Sequence, residues 1–412
     1  MNPKRTLYLT ILIASLGYFV DIYELLMFSI VRRPSLLALG VPDVSYEMLA
    51  ASTKVINWQM VGLLLGGVFW GVMGDKKGRL SVLFGSILLY SIANFATGYV
   101  QTVDQYAWAR FIGGLGLAGE LGAGITLVSE LMPRSKRGLG TSFVAGIGIL
   151  GAVFAYYIYY FSQDWRLCYK VGGVLGILLL LLRVSIAESL LFQQARAHKG
   201  ISRGNFFLFF TSWKRFQKYG LAILVGLPTW YVVGILLNFS NRFAEELYGT
   251  NAIDTSKATM LGYLGLAIGD ITIGFVSQYF QSRKKAILVF YGLTLLACVL
   301  FFSSMNHSDQ SMYWICMLLG FSTGYWALFV TMGAEHFGTN LRATAATTIP
   351  NMVRGALPLI NMLFKDVGIG KFKLGFVQSG ILTGIVVLSL AILANLRSED
   401  TFQKEMDYHE ES

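Results

Sequence analysis

The sequence predicts an all-α integral membrane protein in which twelve transmembrane helices form two pseudo-symmetric six-helix bundles. Three observations carry that prediction: an apolar composition, twelve stretches of spanning length, and an internal repeat that lays the last six over the first six. Of 412 residues, 55% are hydrophobic and 14% charged, and the mean hydropathy is +0.57. A chain of that kind has too little polar residue to cover a soluble globule. The apolar stretches fall near 7–30, 54–74, 80–100, 105–128, 138–161, 165–187, 218–239, 256–279, 285–303, 311–332, 343–362 and 374–396. Each approaches the ~20 residues a helix needs to cross a bilayer.

The first stretch is too long for a removable signal peptide and lacks a small-residue cleavage site, so it is expected to remain as the first helix. Basic clusters at Lys76, Lys77 and Arg79, at Arg134, Lys136 and Arg137, and at Arg283, Lys284 and Lys285 follow alternate spans. The positive-inside rule then puts both termini in the cytoplasm. The expected organisation is an N-terminal bundle over 1–187, a cytoplasmic connector over 188–217, a C-terminal bundle over 218–396 and an acidic tail over 397–412. Around Phe206 to Phe210 the connector reads either as an amphipathic surface segment or as a plain linker. The net charge of +10 sits in short loops, which explains it by orientation and gives no reason to expect nucleic acid.

Cys168, Cys298 and Cys316 lie inside apolar stretches without metal-ligand spacing and read as free thiols. The four histidines lie in loops or the tail, and no nucleophile–base or phosphate-loop motif occurs. No enzyme, metal or cofactor is expected. The repeat is read from two segments in one register. Ser129-Glu-Leu-Met-Pro-Arg-Ser-Lys-Arg-Gly138 superposes on Ala334-Glu-His-Phe-Gly-Thr-Asn-Leu-Arg-Ala343, and Gly74-Asp-Lys-Lys-Gly-Arg79 on Tyr279-Phe-Gln-Ser-Arg-Lys284. Repeated halves of six spans are a transporter signature.

Charged residues inside the spans are the candidate functional groups, because a charge at bilayer depth costs about 2.5 kcal/mol or more. Asp21 and Glu24 stand i, i+3 on one helix face. Arg110 enters from the opposite end of span four and reaches the level of Asp21, which predicts a pair between them; Glu24 either shares its proton or meets solvent at the cavity mouth. Arg354 lies near the midplane of span eleven, flanked by Asn351 and Asn361. A guanidinium there suits an anionic substrate group, with a salt bridge to Asp21 or Glu24 as the alternative. Polar and aromatic residues at mid-depth nominate Trp58, Gln59, Trp230, Tyr231, Asn238, Asn241, Tyr325 and Trp326 as further cavity residues. Asp75 with Arg79, Glu130 with Arg137, and Glu335 with Arg342 are candidate gate pairs, and Glu120 and Asp270 are candidate gate residues.

Gly71-Val-Met-Gly-Asp-Lys-Lys-Gly-Arg79 resembles the loop motif of the major facilitator superfamily, and Arg110-Phe-Ile-Gly-Gly-Leu-Gly-Leu-Ala-Gly-Glu120 resembles its fourth-helix motif. Glu120 after a Gly-rich run, Ser129-Glu-Leu-Met-Pro and Lys136-Arg-Gly138 are similar to the metabolite:proton symporter and sugar-porter branches. The resemblance implies two bundles around a central cavity, worked by alternating access with protons as coupling ion; since one chain holds the whole cavity a monomer is expected, in a cell membrane, the bacterial inner membrane. In sugar porters an acid on the first helix is paired with the arginine of this motif. The expected function is proton-coupled symport of a small polar, anionic metabolite by alternating access, with Asp21 as proton acceptor. The alternatives are an antiporter exporting a drug or metabolite, and a membrane receptor or sensor that does not transport. The absence of proline between Gly138 and Trp165 argues against the antiporter.

Overall fold

The computed structural model describes residues 3–43, 45–77, 79–119, 137–190, 206–249, 252–303 and 308–402. Among the described residues there is no strand, and the helices follow one another as twelve rods. In chain order these are Pro3–Ala38, Ser45–Lys77, Arg79–Thr97, Val103–Leu117, Arg137–Ile149 continued by Gly151–Ser162, and Trp165–Leu190 for spans one to six. Spans seven to twelve are Trp213–Tyr231 with Val232–Leu237, Thr255–Phe280, Arg283–Phe302, Asp309–Ser322 with Trp326–Glu335, Thr339–Gly355 continued through Leu357–Asn361 to Met362–Lys371, and Phe376–Arg397. Nine helical stretches among the described residues are long and apolar enough to cross a membrane. Spans three, four and eleven complete the set: the third is a shorter apolar helix, the fourth runs into undescribed residues, and the eleventh is broken and polar. Span six runs to Leu190 and span seven starts at Trp213, inside the expected connector.

Glycines decide which rods touch. A methyl on Gly62, Gly66 or Gly114 would strike backbone of the facing helix, so spans two and four meet backbone to backbone. Gly265, Gly269, Gly320 and Gly324 do the same between spans eight and ten, the equivalent pair in the second half. Such small-residue seams replace hydrophobic driving force where lipid is as apolar as the side chains. The halves meet along two seams of similar construction. In one, span two lies on span eleven, with Gly67 against Asn351 and Gly355 against Leu64; in the other, span five lies on span eight, with Gly146 against Ile271. Gly148 and Gly151 on span five receive Tyr18 and Phe19 of span one in the same way.

Span one carries Pro34 and span five is interrupted at Leu150, but most of the irregular helices are in the second half. Span seven carries Pro228 and widens into a π-helical turn over Val232–Leu237; span eleven carries Pro350 and ends in the π-helix Met362–Lys371. Span ten stops at Ser322 and restarts at Trp326. Proline removes a backbone donor and π-turns leave carbonyls loosely paired, so these are the places where the rods can bend. The outward surface is apolar, with Leu88, Leu181, Val299 and Leu393 exposed, as a lipid-facing belt requires.

Candidate functional site

Arg110 is completely buried on span four. Its Nη2 donates to the Glu24 carbonyl at 2.6 Å, its Nε to Gln59 Oε1 at 3.3 Å and its Nη1 to Asn94 Oδ1, and the guanidinium lies 5.2 Å from the centre of the Tyr169 ring. Glu24 is a carboxylate within electrostatic reach of it, and no ion pair of Asp21 with Arg110 forms among the described residues. The expected pair of Asp21 with Arg110 is therefore replaced. Three residues along a helix advance about 300°, so Asp21 and Glu24 point some 60° apart. Glu24 turns into the first half, against Gly172 of span six, with both carboxylate oxygens buried and without hydrogen-bond partner. Asp21 turns toward the second half, where Arg354 lies within its electrostatic reach.

Arg354 is the centre of the interface between the halves. It is 4% exposed, donates from Nη1 to Asn351 Oδ1 at 3.1 Å, and lies 5.5 Å from the centre of the Trp326 ring. Trp326 meets Trp230 edge to face at 6.3 Å. Tyr18 of span one and Tyr263 of span eight are in electrostatic reach of the same guanidinium. The Nε atom of Arg354 and the indole nitrogens of Trp326 and Trp230 are buried without hydrogen-bond partner. Unmade donors at one place are costly, and they mark where a ligand's acceptors would sit. Asn351 also donates to Ala118 O at 2.8 Å and Asn361 to Asn57 Oδ1 at 2.8 Å, so both asparagines tie span eleven to the first half. Asn238, at the end of the π-turn of span seven, has both side-chain polar atoms buried and unpartnered.

Four expected cavity residues are placed elsewhere. Trp58 packs on Trp108 at 4.4 Å and on Phe111, and Trp108 is 54% exposed, so this cluster faces outward on span four. Gln59 is spent on positioning Arg110, since its amide nitrogen donates to Leu25 O at 2.9 Å. Tyr231 donates to Gly380 O at 2.9 Å inside the second half. Tyr325 lies against Tyr291, edge to face at 5.3 Å, behind the break in span ten. A polar or aromatic side chain at mid-depth packs wherever its face of the helix points, and these four face their own bundle or lipid.

Asp270 has a definite structural task. Its Oδ1 accepts from the Ala327 amide at 3.0 Å, at the head of the restarted helix Trp326–Glu335, and the residue is completely buried. A carboxylate there satisfies a free amide and complements the helix dipole. Replacing Asp270 by Ala is expected to destabilise the protein by about 0.5–2 kcal/mol and to speed hydrogen exchange at Ala327, whereas Asp270→Asn, which keeps an acceptor, changes exchange little. Mass-resolved exchange of the peptide spanning the break reads both.

At the end where the tail begins, Glu335 accepts from Arg283 Nη2 at 3.4 Å and from Thr401 Oγ1 at 2.6 Å. Arg283, 1% exposed, also donates to Ser277 Oγ at 3.1 Å and receives the Phe402 ring at 5.0 Å. Asp400 accepts from Ser282 Oγ and from the Arg283 amide. The turn after span eight, the end of span ten and the start of the tail thus share one buried ion pair. Arg283 was legible only as a flanking charge, and Thr401 and Asp400 carried no signal. Glu120 and Glu130 lie outside the described residues, as do the side chains of Asp75, Arg79, Arg137 and Arg342. Nearby, Thr141 and Thr331 meet across the halves at 3.1 Å. Glu335→Gln leaves Arg283 buried without its counter-ion, a loss of about 3–5 kcal/mol in well-buried pairs. The expected result is faster alkylation of a cysteine introduced at Thr141, measured against the three native cysteines, which are buried.

Two six-helix halves that meet on buried charges at mid-membrane define a multi-pass membrane transporter. The family model described as Major Facilitator Superfamily matches residues 7–360, and the chain belongs to that superfamily. It is 24% identical to the niacin transporter of Acinetobacter baylyi, over 87% of each chain. It is 25% identical to the sialic acid transporter of Escherichia coli, over 82% of each, and 25% identical to the cis,cis-muconate transport protein of Acinetobacter baylyi, over 92% of each. Among solved structures, the MFS proton:xylose symporter bound to 6-bromo-6-deoxy-D-glucose superposes with a TM-score of 0.74 at 14% identity, covering 96% of both chains. That likeness is one of fold. The family and these relatives are transporters, and the chain is not an enzyme.

Proposed function

We propose that this protein moves a small carboxylate-bearing metabolite by alternating access, coupled to protons. The observation that carries the reading is Arg354, a buried cation on the seam between the halves with an unmade Nε–H and two unpartnered indole donors beside it. A carboxylate placed there gains charge-assisted hydrogen bonds and the flanking aromatic surface. Niacin, sialic acid and cis,cis-muconate, the substrates in the relatives' names, each carry a carboxylate.

Proton coupling follows from the two carboxylates of span one. Glu24 is enclosed without hydrogen bonds to its oxygens, where a neutral acid costs less than an ion. Its proton is released when the carboxylate gains Arg110, one side chain away. Asp21 on the same helix lies within electrostatic reach of Arg354, so substrate arriving on Arg354 competes with Asp21 for its charge and frees span one to move. Coupling in this reading is a change of partners at two charges on one helix.

Thermal stabilisation of the purified protein by nicotinate, sialic acid and cis,cis-muconate, with xylose as the neutral control, tests the substrate class through mass action. A carboxylate that raises the melting temperature of the wild type and fails with Arg354→Gln supports the reading. Stabilisation by xylose alone would return Arg354 to a structural role.

A further inference from the structure

A second cation, toward the C-terminal end of span one, makes no ion pair among the described residues, and its surroundings are those of a binding site. Between the halves, at the end where span one finishes, lies a cavity of about 1130 Å³ lined by the ends of spans one, five and eleven, by the short helix Ser240–Tyr248 that follows span seven, and by the starts of spans two, eight and twelve. Arg32 lines it and is nevertheless only 4% exposed. Its Nε is buried without a hydrogen-bond partner. Its Nη2 makes one long contact, 3.4 Å to Asn241 Oδ1, and the guanidinium lies 4.9 Å from the centre of the Phe239 ring.

The charges around Arg32 do not neutralise it. Arg33 and Arg242 are in its electrostatic range with the same sign, and Asp43 is the opposing charge. Yet Asp43 is bound to Arg33 at 2.6 Å, and that hydrogen bond holds its carboxyl below the usual carboxylate range. Glu245 is bound to Arg242. Glu246 accepts from the Phe376 and Val377 amides at 2.9 and 3.1 Å, capping span twelve, and Asp254 accepts from the Ser256 amide at 2.9 Å, capping span eight. Every carboxylate lining the cavity is thus engaged, and Arg32 faces it with its charge unspent. Burying a cation in this way is costly unless an anion completes it.

We propose that Arg32 and Asn241 form a second carboxylate-binding site, in this cavity and distinct from the one at Arg354. Arg32 supplies the charge and the fork, Asn241 an amide donor once its oxygen is released, and Phe239 the apolar wall. Such a site concentrates an anion at the mouth of the path and hands it inward. Because Ser256 Oγ donates to Ile30 O at 2.7 Å, across the halves and two residues from Arg32, occupancy is positioned to influence this end of the seam. The inference rests on the carboxylate reading of the substrate.

The test is equilibrium dialysis of radiolabelled benzoate against the full-length protein in neutral-lipid nanodiscs, with benzyl alcohol as uncharged control. The wild type is expected to bind two benzoates per chain. Arg32→Gln is expected to weaken one of them at least tenfold, Arg32→Lys to retain it in part, and Arg354→Gln to remove the other. Gel filtration of each variant establishes that it is folded. Full two-site binding by Arg32→Gln would overturn the second site. A single site lost with Arg354→Gln and untouched by Arg32→Gln would overturn it while leaving the proposed function standing. A single site lost only with Arg32→Gln would support it and overturn Arg354 as the anchor. No benzoate bound by the wild type would overturn both.

Discussion

Arg354→Gln is expected to weaken carboxylate binding by about 2–5 kcal/mol, roughly 30-fold or more in Kd, the cost of truncating one partner of a buried charge pair. The effect is large because nothing near Arg354 can take its place: Asn351 is tied to Ala118, and Trp326 and Trp230 offer only single donors. Arg354→Lys keeps the charge but loses the planar fork, and it is expected to recover only part of the affinity. Titration of the purified protein with the carboxylate that stabilises it most gives both values. Because Asp21 is the opposing charge, Asp21→Asn is expected to tighten binding while slowing exchange between states.

Glu24→Gln is expected to abolish pH-driven accumulation while leaving substrate exchange across the membrane intact. The amide keeps the shape beside Gly172 but cannot carry a proton between states. Gln59, Asn94 and the Glu24 carbonyl still hold Arg110, so the fold is not at risk. Uptake by proteoliposomes with and without an imposed pH difference separates the two activities. Loss of exchange together with uptake would make Glu24 a structural residue and not the proton carrier.

The rods and the repeat were legible because bilayer thickness converts directly into apolar run length, and because a charge inside such a run is rare enough to stand out. Arg110, Glu24, Asp21 and Arg354 were all found on that ground. Which of them face one another stayed open between Asp21 with Arg110 and Asp21 with Arg354, for a geometric reason. Asp21 and Glu24 differ by some 60° around span one, and no sequence signal tells which of two such directions faces span four and which faces span eleven. The same limit misplaced Trp58, Gln59, Tyr231 and Tyr325, since spans apolar on every side carry little contrast to fix their rotation. For Glu335 tertiary packing supplies Arg283 from the turn after span eight, a partner that no local sequence pattern indicates. Arg32 escaped notice because a base at a helix end reads as an interfacial charge; its burial and the prior engagement of every nearby acid exist only in the folded arrangement.

The most direct test of coupled carboxylate transport is the lumenal pH of proteoliposomes loaded with a pH-sensitive dye, followed when sialic acid, or whichever carboxylate binds, is added outside without an imposed proton gradient. The wild type is predicted to acidify the lumen as substrate enters, with Glu24→Gln and Arg354→Gln indistinguishable from protein-free vesicles. Substrate entry by the wild type with no change of lumenal pH would contradict the account.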